Sequence, residues 1–181
     1  MLPVSDPRGP DLTRRERRLS ACPPSLRIAR VFRVHRSALL PYSASEMYAL
    51  VADVESYPGF LPWCRRVEVH LRTGERVRAT LEIARGPLHQ TFTTENRLEL
   101  DRLIEMRLAN GPFRHLHGLW RFEPLGEGGC KVIFEMEFDF SSRVLAAALG
   151  PVFNEIGRQM VDAFRTRAIQ VYGKGRRLHQ G

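Results

Sequence analysis

Two pairs of ionisable residues have a spacing that places both members on one face of a regular element. His115 and His117 are two residues apart in a predicted strand, a spacing compatible with a metal ion, but the sequence indicates no third ligand. Glu155 and Asp162 are seven residues apart in a predicted helix, where they could act as a paired acid and base. The alternative interpretation, which we favour, is that both pairs face solvent and that the carboxylates pair with nearby arginines.

The sequence contains no GxSxG, HExxH or glycine-rich phosphate-binding motif. Its cysteines, at positions 22, 64 and 130, are odd in number and far apart, so neither a zinc site nor a disulfide framework is indicated. No histidine or other base lies near Cys64 in the sequence, which favours an inert thiol. We therefore predict no catalytic residue, no metal and no enzymatic activity.

Large, polarisable apolar side chains recur along one face of the predicted strands and of a long predicted helix. They either line a cavity for a flat ring with an apolar tail, bound at about 25 cal/mol per Å² of buried surface, or fill a solid core. On pattern alone the solid core is the more common arrangement. The candidate lining residues are Trp63, Gln90, Phe92, Met106, Leu108, Trp120, Phe134, Met136, Ile156, Met160 and Phe164.

Four polar side chains, those of Gln90, Thr94, Asn96 and Asn110, fall on these apolar faces by alternation. A buried amide needs a hydrogen-bond partner, which is either a ligand carbonyl or a backbone group at a strand end or bulge. The backbone interpretation is favoured for Asn110, which precedes a Gly-Pro pair. Both interpretations stay open for Gln90 and Asn96.

A proline-stiffened aromatic loop, YPGFLPWC, occupies residues 57–64 beside the expected mouth of the cavity. Its aromatic residues Tyr57, Phe60 and Trp63 are candidates for a gate, or for a surface that contacts a membrane or a ribosome. The alternative is a rigid connection between elements, because each proline fixes its own backbone and lacks an amide donor.

Period-two alternation predicts seven strands, which would form an antiparallel sheet with one solvent-exposed face and one buried face. A capping box at Ser43 and Glu46 begins a short helix after the first strand, and a second short helix follows. Helical spacing over residues 142–172 predicts a long helix, which Gly150-Pro151 should kink or break early. The order indicates an α+β fold in which a curved sheet wraps around a long C-terminal helix.

The chain of 181 residues carries a formal net charge of +8, and this charge lies outside its centre. Residues 1–34 contribute +5 and residues 173–181 contribute +3, so residues 35–172 are neutral overall. Residues 1–30 contain five of the twelve prolines, and we expect a disordered basic extension there, or a mitochondrial transit peptide. Residues 31–172 are the predicted domain, and residues 173–181 are a predicted flexible tail.

The predicted order of elements resembles the START-like helix-grip (SRPBCC) superfamily. Residues 31–172 are more closely similar to the family of coenzyme Q-binding START proteins and ribosome association toxins. Bacterial members usually begin near the first strand, so residues 1–30 are also interpretable as an upstream extension from a misplaced start codon. Six strings carry this resemblance: RSALLPYSA (36–44), YPGFLPWC (57–64), TFTTEN (91–96), GPF (111–113), GLWRF (118–122) and MVDAFRTRAIQVYG (160–173).

The two branches of this family imply different functions, neither of them enzymatic. The coenzyme Q branch implies ubiquinone held in the cavity in support of respiration, with no required cofactor. The toxin branch implies binding to the large (50S) ribosomal subunit and a block of subunit association, with an unknown antitoxin partner. A polyketide cyclase-like enzyme ranks third, because no inward acid or base follows from alternation.

The apolar face leads us to predict the quinone carrier first and the ribosome-binding toxin second. A bacterial protein of either kind is expected in the cytoplasm, with peripheral contact at the inner membrane for a quinone carrier. A transit peptide would instead place the protein on the matrix side of a mitochondrial membrane.

Overall fold

The computed structural model describes residues 31–86, 88–126 and 128–174. Residues 1–30, the predicted extension, and residues 175–181 of the predicted tail lie outside the described residues. The elements in chain order are β1 (Phe32–Leu40), α1 (Ala44–Ala52), a 3₁₀ helix (Val54–Gly59), β2 (Cys64–Arg72), β3 (Arg76–Arg85), β4 (Leu88–Glu99), β5 (Leu103–Asn110), β6 (Phe113–Leu125), β7 (Gly129–Phe140) and α2 (Arg143–Tyr172).

The seven strands form one antiparallel sheet in the order β1-β7-β6-β5-β4-β3-β2. Strands β2 to β7 follow one another as a meander, and β1 pairs with the far edge of β7. Register shifts interrupt the pairing of β2 with β3, of β4 with β5 and of β6 with β7. Such irregularities increase local twist, so the sheet curves around α2. The predicted α+β helix-grip architecture is confirmed.

The predicted capping box begins α1. The Ser43 hydroxyl accepts a hydrogen bond from the Glu46 backbone amide at 3.2 Å, and the Glu46 carboxylate accepts one from the Ser43 amide at 2.7 Å. These two bonds satisfy donors that have no partner inside the helix. The chain then turns through the 3₁₀ helix, which includes Pro58, and enters β2.

Of the kink or break predicted at Gly150-Pro151, the break is wrong, because α2 runs as one helix of 30 residues with Pro151 inside it. Buried residues on both sides of the proline, Leu149 and Phe153, anchor the two parts to the same core. Gly150 has a packing role as well, since a Cβ atom there would overlap the ring of Phe32 on β1. Tertiary packing therefore offsets the local cost of the proline.

Aromatic rings fill the space between the concave face of the sheet and α2. The Phe113 ring lies 4.8 Å from that of Phe140 and 5.0 Å from that of Phe153, between centroids. Further along the sheet, the Trp120 ring lies 4.5 Å from Phe134 and 5.2 Å from Phe164 on α2. These contacts fix the height of the helix above the sheet.

Candidate functional site

A small apolar cavity lies between the concave face of the sheet and α2. Its volume is about 60 Å³. Strands β3 to β7, the 3₁₀ helix, the segment before β2 and α2 all contribute to its walls. The lining residues are Val54, Tyr57, Trp63, Leu81, Ile83, Phe92, Thr94, Asn96, Met106, Leu116, Phe134, Met136, Phe153, Ile156, Gly157 and Met160.

The structure brings a majority of the predicted lining residues together around this cavity. Alternation along the strands and helical spacing on α2 explain why these residues converge. Those of the predicted set that line the cavity are Trp63, Phe92, Met106, Phe134, Met136, Ile156 and Met160. Whether they contact a ligand stays a prediction.

Four predicted residues lie elsewhere. Trp120 and Phe164 are fully buried but pack against each other in the solid part of the core. Leu108 pairs with Thr94 across β4 and β5 and packs, half-buried, against the core, but it lies outside the lining. Gln90, near the start of β4, is half-buried and outside the lining.

Two buried residues of the aromatic loop, Tyr57 and Trp63, form part of the cavity wall. Tyr57 and Trp63 are only 5% and 4% exposed, and the Tyr57 hydroxyl donates a hydrogen bond to the Val51 carbonyl at 2.7 Å. Phe60 lies outside the lining and packs on Phe164, with 5.2 Å between ring centroids. The loop is therefore anchored in the core, and its aromatic rings do not form an exposed contact surface.

Two polar side chains on β4 line the cavity. Asn96 is 4% exposed and Thr94 is 3% exposed, so both are buried on the concave face. The Asn96 Oδ1 atom has no hydrogen-bond partner among the described residues. Asn110, on the next strand, is exposed and plays no part in the cavity.

Burial keeps the ionisable groups near this site in their neutral forms. Burial raises the pKa of the Cys64 thiol to about 11, so the thiol stays protonated at neutral pH. Burial also raises the pKa of the Tyr57 hydroxyl, and the nearby Cys64 and Asp53 act in the same direction. Neither group is poised to ionise as a nucleophile or base.

One ion pair and one hydrogen bond hold α2 against the rim of the sheet. Asp162 on α2 lies 3.7 Å from the Arg36 guanidinium on β1. Arg85 on β3 donates a hydrogen bond to Gln159 at 3.0 Å, and Gln159 donates one to Glu155 at 2.8 Å. Glu155 and Asp162 therefore have separate partners and do not act as a pair.

The two predicted histidines lie on the outer face of the sheet. His117 Nε2 is 3.0 Å from Glu105 Oε1, and His115 Nε2 is 3.5 Å from Glu137 Oε1. Over the described ranges, no group of three or more His, Cys, Asp or Glu side chains is arranged to hold a metal ion. These histidines form cross-strand pairs with carboxylates.

Several lining residues were not among the predicted set. Leu81 and Ile83 share the inward face of β3, and Phe153 and Gly157 flank Ile156 on the inward face of α2. Alternation and helical spacing indicate those faces, but a glycine carries no apolar signal. Gly157 is identifiable only from the close approach of its neighbours, since a Cβ atom there would lie 2.6 Å from Met136 Cε.

None of the helices described in the structure has both the length and the apolar character needed to cross a membrane.

The comparisons with known proteins agree with this architecture. The family described as polyketide cyclase / dehydrase and lipid transport matches residues 40–165. Ribosome association toxin RatA from Pseudomonas aeruginosa is 48% identical, over 77% of this chain and 97% of that protein. Coenzyme Q-binding protein COQ10 homolog B, a mitochondrial protein of Xenopus laevis, is 32% identical, over 76% of this chain and 58% of that protein.

Among solved structures, the Zhui aromatase/cyclase from Streptomyces sp. R1128 superposes with a TM-score of 0.68 at 18% identity, covering 81% of this chain and 99% of that one. This likeness shows the fold alone. The matched residues 40–165 include the sheet from β2 to β7 and most of α2. The chain therefore belongs to the polyketide cyclase / dehydrase and lipid transport family, together with the RatA proteins and their coenzyme Q-binding relatives.

Proposed function

We propose that this protein associates with the ribosome as a RatA-like toxin. The observation that carries the proposal is the 48% identity to a ribosome association toxin over 97% of that toxin's length. The more specific form of the proposal is that the protein binds the large subunit and blocks its joining to the small one. A ribosomal partner implies a cytoplasmic protein.

The charge distribution supports a local contact with ribosomal RNA. Most arginines on the outer sheet are neutralised by partners, such as Arg76 by Glu95 at 3.6 Å and Arg97 by Glu99 at 3.1 Å. On α2, by contrast, Arg158 and Arg165 are exposed and form no ion pair with any described residue. Unpaired guanidinium groups of this kind suit phosphate oxygens.

Co-sedimentation with purified ribosomal subunits tests this proposal. We expect the full chain to sediment with the large subunit at low salt, to be released as salt rises, and to lower the yield of joined ribosomes. The small subunit alone serves as the control. Absence of the protein from the large-subunit fraction at low salt contradicts the proposal.

The apolar cavity favours a second function, the binding of ubiquinone or a related isoprenoid lipid. Its lining is almost wholly apolar, which suits a ligand bound by burial of apolar surface. Its volume of about 60 Å³ is well below the roughly 300–1,000 Å³ of ligand pockets, so a polyprenyl chain requires α2 or residues 57–64 to move.

Organic extraction of the purified protein, followed by mass spectrometry, tests the second function. The protein is expressed in a ubiquinone-producing host, and we expect quinone at near-stoichiometric levels. Ile156→Arg places a charge in the lining and should abolish retention. Circular dichroism of the variant checks that the fold is retained. An extract without quinone from folded wild-type protein contradicts this function.

We further propose that neither function involves catalysis. The described residues that line the cavity include no carboxylate, histidine, lysine or arginine side chain. The Tyr57 hydroxyl there has a raised pKa and already donates to the Val51 carbonyl. A general acid–base reaction needs a group that titrates near the working pH, and the lining supplies none.

A further inference from the structure

Asn96 is the one lining side chain whose buried polar atom has no partner within the described part of the chain. It lies in the middle of β4, opposite Val77 of β3 and Met106 of β5. At 4% exposure its amide is removed from bulk water. A buried carbonyl oxygen left unpaired is unfavourable, so its retention in an otherwise apolar cavity points to a group that binds there.

The unpaired atom is a hydrogen-bond acceptor, and this defines the chemistry of its partner. Oδ1 needs a donor, whereas the carbonyl oxygens of an oxidised quinone only accept hydrogen bonds. A hydroxyl group can donate to Oδ1 and can also accept from the amide nitrogen. A buried water molecule requires roughly two to four polar partners, and the polar side chains of the lining are few: Asn96 and Thr94 on β4, the Tyr57 hydroxyl and the Trp63 indole.

We propose that the cavity binds an apolar molecule through a hydroxyl group, of the phenol or hydroquinone type, that donates a hydrogen bond to Asn96 Oδ1. This inference rests on the second proposed function, ligand binding in the cavity, and is independent of ribosome association. It makes Asn96 the residue that selects a reduced, hydroxyl-bearing ring over its carbonyl-only counterpart.

The remaining lining can adapt to such a ring. Met106, Met136 and Met160 surround the cavity, and methionine side chains change conformation at low energetic cost. The volume of about 60 Å³ can therefore increase without displacement of a strand. A single ring with one hydroxyl group is the smallest ligand that uses both the apolar walls and Asn96.

Titration calorimetry with p-cresol and toluene tests the proposal, because the two probes differ only by the hydroxyl group. In the full-length wild type we expect p-cresol to bind more tightly relative to toluene than it does in Asn96→Leu. The ratio of the two dissociation constants should change about tenfold in the variant. Thr94→Val, which alters the other polar lining residue of β4, should leave this ratio unchanged.

A ratio that is the same in wild type and Asn96→Leu overturns the proposal, and so does a ratio that changes only in Thr94→Val. If neither probe binds but the extract contains quinone, the proposal alone is overturned. If neither probe binds and the extract also lacks quinone, the second proposed function is overturned with it. Retention of quinone in the extraction experiment with an unchanged ratio overturns the hydroxyl assignment alone. If Asn96→Leu does not fold, p-cresol must shift the side-chain amide signals of wild-type Asn96 in NMR spectra by more than toluene does, and equal shifts overturn the proposal.

Discussion

At the scale of single residues, two glycines determine how much room the cavity methionines have. A Cβ atom at Gly118 on β6 would overlap Met106 Cε, and one at Gly157 on α2 would lie 2.6 Å from Met136 Cε. Each methionine methyl group therefore occupies the space that a side chain at the glycine would fill. The free volume of the cavity depends on these two positions.

Gly118→Ala should displace the Met106 methyl group into the cavity and so reduce the cavity volume. We expect toluene affinity to fall by about tenfold, whereas the free energy of unfolding should change by about 1 kcal/mol or less because the displaced atom ends a flexible side chain. Urea denaturation and calorimetry measure the two effects. Gly74→Ala, where a Cβ atom meets nothing within 4 Å, is the control. Unchanged toluene affinity in Gly118→Ala contradicts this prediction.

Glu105 on the outer face should make stability depend on pH. Hydrogen bonds from Arg107, at 2.8 Å, and from His117 hold the pKa of this carboxyl below its usual range. A lowered pKa in the folded state adds stability above the unfolded pKa of about 4.3, and this contribution disappears as pH falls through the folded pKa.

Glu105→Gln should therefore destabilise the protein by about 1 kcal/mol near neutral pH and by progressively less below about pH 4. Urea denaturation across this pH range measures the difference from wild type. Glu123→Gln, at a more exposed ion pair 3.5 Å from Lys131, should show a smaller effect. A Glu105→Gln effect that is constant down to pH 3 is incompatible with this assignment.

Residue-level predictions from sequence succeeded where the alternation of a strand is regular. Phe92 on β4 and Met106 on β5 line the cavity, as alternation predicts, because every second side chain of a strand faces the same side of the sheet. Alternation does not indicate depth, so Trp120 faces inward as predicted yet packs against Phe164 in the solid core. In the same way, alternation places Leu108 correctly opposite Thr94 but does not indicate that Leu108 lies outside the cavity lining.

At the scale of elements, the contact between α2 and β1 leaves no room for a side chain at position 150 of the helix. A Cβ atom there would lie within 2.9 Å of several ring atoms of Phe32. The ring itself stacks on Phe138 at 5.0 Å between centroids, so it has little room to move. The glycine is thus required for the close approach of helix and strand.

Gly150→Ala should destabilise the protein by about 1–2 kcal/mol, although alanine is the better helix former by about 1 kcal/mol. Thermal and urea unfolding measure the change. Phe32→Leu removes ring atoms that the alanine Cβ atom would meet. Gly150→Ala should therefore cost less free energy of unfolding in the Phe32→Leu background than in the wild type. A Gly150→Ala protein as stable as wild type would show that the ring moves aside freely.

The α2 element also shows where local sequence rules fail. Proline removes an amide donor and usually kinks or ends a helix, which led to the prediction of a kink or break, and the break is incorrect. The helix continues because Leu149 and Phe153 are buried on either side of Pro151. The capping box of α1, by contrast, was predictable because all of its atoms belong to four consecutive residues.

At the scale of the whole molecule, the order of elements was predictable but the neighbours of β1 were not. Alternation and turns predict six successive strands that pair as a meander, since consecutive antiparallel strands usually lie side by side. The position of β1 beside β7 depends on closing the sheet over α2, which leaves no local signal in the sequence. The neighbour of β1 was therefore not predicted.

The charge of the chain predicts how ribosome association should respond to salt. Residues 1–30 contribute +4, whereas the family match covers residues 40–165. We expect a chain that begins at residue 31 to keep its binding to the large subunit but with a weaker dependence on salt, because fewer counterions are released. Sedimentation between about 50 and 200 mM salt compares the two chains. Loss of binding by the shorter chain at every salt concentration contradicts the prediction.

The pairing of β1 with β7 has a consequence for how the chain matures during its own synthesis. His35 and Glu135 face each other across this pair although 100 residues separate them. Strand β1 therefore has no partner until β7 has emerged from the translating ribosome, and α2, with its 30 residues, emerges later still. Contacts this distant in sequence slow folding, so the cavity should close only after α2 has emerged.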